Sequence, residues 1–455
     1  MVRATTEART LRRVSGSQSN NSPHGDANKD NARDARPVAL PLAILPLHQQ
    51  RYSCHGCGNC CRDFTVQLRP HDLEKLRAQD WETKLGAPVT TEFRGVTYLR
   101  QRDDGACVFL MDDGLCRIHK EYGFTEKPIA CQMFPFVPIP DDRRTRVGLS
   151  FACQSVRENK GAELQSHAND VDRMTRAVPE TRVATYTAML ADAMGAKDGE
   201  LDALSHAIDA YLARNDLTMR DRFDGLSWVA ASLGRAKLAE VRAKRFRELV
   251  ALLVSALPAE LEHLPLEAVL PKQERLLRQA VYARLEDVQV HHAKSKGRWR
   301  TVLAQLLASR AFTRGKGRIP SVARGLLGDV SFDLIRGIPV LSESPDRDAI
   351  EDLLVRYARA TIIGGRAWGA GYYGWPAVRG LQALVLNIAC AAWLARALAA
   401  SRGHAHVTID DARDALGRID RHAGRAPWLG SVGERLRLEY FRLDDGLRRI
   451  VRESI

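Results

Sequence analysis

The chain has 455 residues, 45% of them hydrophobic, and a formal net charge of +13. That length holds two or three domains and that apolar content supports a sizeable core, which excludes a wholly disordered chain. Basic residues alternate with acids along segments such as KLAEVRAKRFRELV (237–250), the pattern of a solvated helix face. The charge therefore gives no specific nucleic-acid signal.

In chain order, residues 1–37 are rich in Ser, Asn, Asp, Ala and Arg without periodicity and read as a disordered tail. They contain no apolar run followed by a small-residue cleavage site, so the chain reads as cytoplasmic. Residues 38–47 (VALPLAILPL) carry two prolines and read as an extended lead-in to the next domain. A cysteine-rich domain is expected over 38–160. Within it Thr65–Leu68, Val96–Leu99 and Cys107–Leu110 read as short strands joined by Asp-Gly turns, and Pro70–Gln79 as a short helix. From 161 to 455 the pattern is helical, one all-α domain or a pair of subdomains. Pro179–Arg214 and Leu238–Leu257 carry apolar residues at helical spacing. Ser344-Pro345-Asp346 reads as a helix start, and Thr408-x-x-Asp411 and Ser431-x-x-Glu434 as capping boxes. Leu381–Ala400 is long and apolar enough to span a bilayer. Its alanine content and the internal Arg396 favour a buried core helix, so no membrane span is favoured. The expected fold class is α+β: a small irregular cysteine-rich module with short strands, then a large all-α domain.

Eight of the nine cysteines fall in the first module. Four form Cys54-x-x-Cys57-x-x-Cys60-Cys61, followed by Cys107, Cys116, Cys131 and Cys153. Thiolates two residues apart can converge on one ion, because the intervening turn aims both sulfurs inward. Disulfides would need an oxidising compartment. Buried free thiols suit Cys390, in the apolar run LNIACAAWLA, but not Cys54–Cys61, whose neighbours are Gly, Asn, Arg, Asp and His. The metal-ligand candidates are therefore Cys54, Cys57, Cys60, Cys61, Cys107, Cys116, Cys131 and Cys153. The spacing leaves an iron–sulfur cluster and zinc both open, with iron–sulfur preferred because clustered metals share thiolate charge. Arg51, Arg62, Arg117 and Lys127 are the cations available to offset that charge. His119, one turn past Cys116, reads as a packed or supporting histidine before a ligand.

The segments around Cys107-Val-Phe-Leu110, Cys116-Arg-Ile-His119 and Lys127-Pro128-x-x-Cys131-x-x-Phe134-Pro135, taken with the CxxCxxCC knuckle, resemble the CxxCxxCC zinc/iron-chelating family. That family includes the YkgJ-type cysteine cluster proteins and the flagellin lysine-N-methylases. Lys127 stands where arginine is usual. The resemblance covers about residues 50–155 and implies a metal centre there. For the methylase-like members it further implies S-adenosylmethionine as cofactor and a flagellin-like protein substrate. The open alternatives are an iron–sulfur oxidoreductase and a non-enzymatic, metal-stabilised interaction or regulatory protein.

Outside the module, Gly364-Gly365-x-x-x-Gly369-x-Gly371-Tyr372-Tyr373-Gly374-Trp375 is glycine-rich and aromatic. It follows a helix, not a strand, so a close-packed inter-helix loop is expected ahead of a phosphate or S-adenosylmethionine loop. His291-His292 and the basic stretch Lys294–Arg300 read as an exposed helix end. The acids nearest His404-x-His406 are committed to a helix start.

Overall fold

A computed structural model describes residues 39–44, 50–183, 188–197, 199–264, 266–285, 298–320 and 326–455. The 1–37 tail, residues 38 and 45–47 of the lead-in, His291-His292 and residues 294–297 of the basic stretch lie outside the described residues. The first part runs β1 (Leu42–Ala43), β2 (Arg51–Tyr52), α1 (Asn59–Asp63), α2 (Pro70–Ala78), α3 (Trp81–Leu85), β3 (Thr90–Phe93), β4 (Val96–Leu99), α4 (Arg117–Tyr122), α5 (Ile129–Met133), β5 (Phe136–Pro140), β6 (Thr145–Leu149), α6 (Gln154–Arg157), β7 (Ala162–Glu163) and α7 (Ala168–Arg176). The predicted strand at Val96–Leu99 forms, paired antiparallel with β3. Thr65–Leu68 and Cys107–Leu110 do not become strands. They make only single bridges, Gln67 to Tyr98, Gln101 to Cys107 and Leu110 to Cys116. Each is cut short before a ladder can extend, by the helix that starts at Pro70 and by the glycine turns at Gly105 and Gly114.

Two small sheets frame this region. β1 runs parallel to β6, which pairs antiparallel with β5. β2 pairs antiparallel with β7. All of β6 is buried, because helices cover it. Its Gly148 makes that contact possible: a Cβ there would meet Arg366 Cγ at 2.7 Å and the Gly364 carbonyl oxygen at 3.1 Å. The glycine-rich segment 364–375 is thus the inter-helix loop expected. Its Trp368, Tyr372 and Trp375 are buried, and it packs on β5 and β6.

Beyond it the chain is mainly helical, which gives the α+β class expected. The run Pro179–Arg214 is not one helix. It makes a 3-10 turn at Pro179–Arg182, a hairpin of β8 (Met189–Ala191) and β9 (Met194–Gly195), and α8 (Glu200–Leu212). Gly199, at φ +75°, sets the start of α8. Then come α9 (Met219–Arg235), α10 (Lys244–Ser255), α11 (Ala259–Glu262), α12 (Pro271–Leu285), α13 (Arg298–Arg314), α14 (Phe332–Gly337), α15 (Arg347–Ile363), α16 (Ala377–Arg402), α17 (Ile409–His422), α18 (Val432–Phe441) and α19 (Gly446–Ser454).

α16 is the membrane-span candidate by length and composition, yet 89% of its most apolar window is buried inside the protein. It packs on α17, α9, α19 and α12 and is the central core helix. Arg396 near its end donates to the main-chain oxygens of Arg336 and Ile338, at the end of α14. The Thr408 capping box forms as read. The one at Ser431 does not. Glu434 is taken instead by fully buried Arg284, at 2.7 Å, and by Arg437. α15 starts at Arg347, with Asp346 at its N-cap. Ser344 supports that start by accepting from the Asp346 N–H.

One acid marks where the hairpin locks onto the helices. Buried Glu200 accepts hydrogen bonds from the Lys197 and Ala243 N–H groups and from Arg242. Burial alone would raise its pKa, but Arg242 and these N–H donors outweigh it and hold the carboxyl down at about 2. A depressed acid stabilises the fold fully above its unfolded pKa and loses that contribution as pH falls through the folded one. Glu200→Gln should therefore be less stable than the parent at neutral pH, with the gap closing between roughly pH 4.5 and pH 2 in urea titrations. A gap independent of pH over that window would refute the assignment.

Candidate metal centre

Two glycines shape the cysteine knuckle. Gly56 and Gly58 sit at φ +67° and +71°, where side chains are strained. They bring the knuckle against the next turn: a Cβ on Gly56 would meet Leu115 at 2.6 Å, and one on Gly58 would meet the Gly114 oxygen at 3.2 Å. That contact places Cys116, the N-cap of α4, beside Cys60 and Cys61 in α1. Cys131 lies in α5, and Cys153 is the N-cap of α6.

These pieces converge. Cys54, Cys57, Cys60, Cys61, Cys116, Cys131 and Cys153 all line one cavity of about 90 Å³, together with Tyr52, His119 and Lys127. Cys107 is not in its wall. It is buried just behind, in a small apolar cluster with Leu68, Trp81, Leu99 and Phe109, against which Cys61, Cys116 and Cys131 pack. Cys390 is fully buried in α16. Cys54 and Cys57 are exposed at the cavity mouth. The Cys60 and Cys61 sulfurs are 4.0 Å apart. Among the described residues no three Cys, His, Asp or Glu side chains already stand closed around one point.

The electrostatics fit a cation. Burial pushes the Cys153 thiol up to about 11 and Cys107 up to about 12. Burial also raises Cys57 and Cys131, and for Cys60 the hydrogen bond with Cys61 raises it first, burial second. Every one of these shifts includes repulsion from neighbouring cysteines, so several thiolates could not coexist here without a positive charge among them. Opposing this, main-chain hydrogen bonds from residues two or three positions on stabilise the thiolates of Cys57 (from Asn59), Cys107 (from Phe109) and Cys153 (from Val156 and Ser155). N–H donors so placed are those a metal-bound thiolate needs around it. Of the four cations proposed to offset the charge, Lys127 lines the cavity. Burial works against its charge, yet Cys131, Cys116, Cys60 and Cys54 together raise its pKa. Arg51 pairs with Glu163 and Arg62 with Asp104 at the surface. His119 reaches the wall edge-on to Phe124, at 5.8 Å between ring centres. The donor set and its surroundings therefore suit thiolate ligation of a metal.

Other participants are not readable from spacing. Asn59 donates to Gln154 at 2.8 Å and His55 Nδ1 lies 2.8 Å from Ser155 Oγ, which stitches the knuckle to α6. Phe64, next after α1, stacks with Phe134 and meets the guanidinium groups of Arg421 and Arg425 at 5.6 and 5.4 Å. Those arginines lie more than 350 residues away in sequence, at the end of α17, so no local signal could reveal them.

Comparison with known proteins agrees with this geometry. Residues 53–164 match the CxxCxxCC family model, whose description gives it, provisionally, as a zinc- or iron-chelating domain. The match covers the whole cysteine cluster and about a quarter of the chain. An uncharacterized protein of Methanocaldococcus jannaschii, MJ0939, is 33% identical over 85 residues, which are 19% of this chain and 29% of that protein. The chain thus covers less than a third of that relative's length. No solved structure matches.

Cys57→Ser and Cys131→Ser should each lose bound metal and lower the thermal stability of the module, since ligation energy in such sites is folding energy. Cys390→Ala should keep full metal content. Metal analysis of the three purified variants checks this division, and metal loss in the Cys390 variant would overturn it.

Proposed function

We propose that this protein is a metalloprotein whose cysteine module holds an iron–sulfur centre, carried on a helical scaffold, with a role in electron transfer or metal holding. The observation that carries the reading is the convergence of seven cysteines and one lysine on a single cavity of about 90 Å³. Small-molecule sites run to about 300–1,000 Å³. The cavity suits ions, not a nucleoside cofactor. Iron–sulfur is preferred because a cluster spreads the charge of its thiolates over several metals, whereas four thiolates around one zinc leave a net negative centre. Exposed Cys54 and Cys57 give the centre an edge on solvent, through which electrons or metal can pass.

Structural zinc is the second reading. It is favoured by the small apolar cluster behind the site, which leaves the module dependent on ligation for stability. The lysine-methylase reading gains no support from the site. The cavity is too small for S-adenosylmethionine, and the glycine-rich segment is occupied by packing: a Cβ on Gly371 would meet the Gly365 oxygen at 2.3 Å.

Anaerobic purification followed by visible absorption and metal analysis separates these. A brown protein containing iron and acid-labile sulfide, bleached by air, is the expected result. A colourless protein with stoichiometric zinc selects the structural reading. A protein that binds neither metal overturns both. Saturable binding of radiolabelled S-adenosylmethionine to the anaerobic protein would reinstate the methylase.

A further inference from the structure

α13 is apolar on two sides. One side is buried: Ala308 and Phe312 enter the core, where Phe312 packs on Tyr282, Phe332 and Trp393 at 5.2–6.0 Å between ring centres. The opposite side is in solvent. Val302, Leu303, Leu306 and Leu307 are 39%, 57%, 56% and 55% exposed. Helical geometry puts Val302, Leu306, Arg310 and Arg314 in one row at i, i+4, i+8 and i+12, with Leu303 and Leu307 alongside. Arg310 and Arg314 are exposed. The exposed face is therefore apolar in its first half and basic in its second.

Charge along this stretch of sequence is one-sided, although Arg318 at its end pairs with Asp329. From Lys294 to Arg318 the sequence carries eight basic residues and no acid, in a chain with 55 acids overall. An apolar face flanked by arginine and lysine is the composition of a helix that lies in the plane of a membrane surface. There the leucines enter the acyl boundary and the cations meet phosphate headgroups. A second copy of this chain fits less well, because pairing the same faces would set Arg310 and Arg314 against their own counterparts in a parallel pair and against the apolar half in an antiparallel one. A nucleic acid would use the cations but leave four apolar side chains in water.

We infer that the exposed face of α13 docks the protein on anionic lipid bilayers, lying on the surface without spanning it. The inference is independent of which metal the cysteines hold.

Sedimentation of the full-length protein with vesicles tests this, using phosphatidylcholine alone and phosphatidylcholine mixed with phosphatidylglycerol. Binding should be at least about tenfold stronger to the mixed vesicles and should weaken with salt. Leu306→Gln with Leu307→Gln, and separately Arg310→Gln with Arg314→Gln, should each reduce that binding about tenfold. All four side chains are exposed, so thermal melting by circular dichroism should not change. Leu252→Gln, at a 66% exposed leucine on α10, should bind like the parent. Equal binding to neutral and anionic vesicles, or none, overturns the proposal. So does self-association that disappears with the leucine pair. Binding of a single-stranded RNA oligonucleotide that depends on the arginine pair, with vesicle binding indifferent to the leucine pair, overturns it in favour of nucleic acid.

Discussion

The buried ion pair between Arg366 and Asp420 is the joint on which the arrangement rests. Both residues are almost wholly out of solvent, 2.8 Å apart. Arg366 sits in the glycine-rich loop between α15 and α16 and also donates to the Leu149 carbonyl at the end of β6. Asp420, on α17, accepts from the Ser150 hydroxyl and the Ala152 N–H. One pair thus fixes three things: the inter-helix loop, the last helices and the short segment that delivers Cys153. A buried ion pair adds little net stability over an apolar substitute, but removing one partner leaves an uncompensated charge. Its contribution is to specify where the segment before Cys153 goes.

The glycines make that joint possible. Gly148 and Gly364 meet almost backbone to backbone, which lets β6 lie directly on the loop. Glycine-rich composition alone also fits a ligand loop, but this stretch follows a helix, and its glycines serve the expected close contact between two parts of the fold. This is the kind of reading that composition cannot settle. The space around Gly364 is filled by the Ala360 carbonyl oxygen and by Gly148 of β6, and the second lies more than 200 positions earlier.

What could be read in advance was local. The knuckle spacing, the Thr408 box, the helix at Pro70 and the burial of α16 all depend on neighbours within a few residues, and they form as read. The failures share a cause. Ser431 lost its capping glutamate to Arg284, from another helix. The apolar spacing between Pro179 and Arg214 persisted through the Asp192-Ala193 turn, which makes the hairpin, and through Gly199, where α8 starts. Thr65–Leu68 had strand composition but only one bridging partner. Within the site, the spacing grouped eight cysteines, and seven of them line one cavity. That Cys107 stands behind the cavity wall, and that Lys127 alone of the four proposed cations lines it, depended on tertiary packing.

The cysteine module and the helices therefore share one set of interactions. Arg356 of α15 donates to Gln50 and to the carbonyls of Val156 and Arg157, and so holds both ends of the module at once. Tyr52, Phe136, Leu149, Phe151 and Val156 belong to the same apolar core as α9, α16 and α17. Small metal modules that stand alone need the ion to fold. In this chain part of the ordering is done by the helical core, which positions Cys153 and braces Phe64 against Arg421 and Arg425. The knuckle, with its exposed Cys54 and Cys57, is held by less. Metal affinity should then be set mainly by the knuckle, while the far wall of the cavity is in place beforehand.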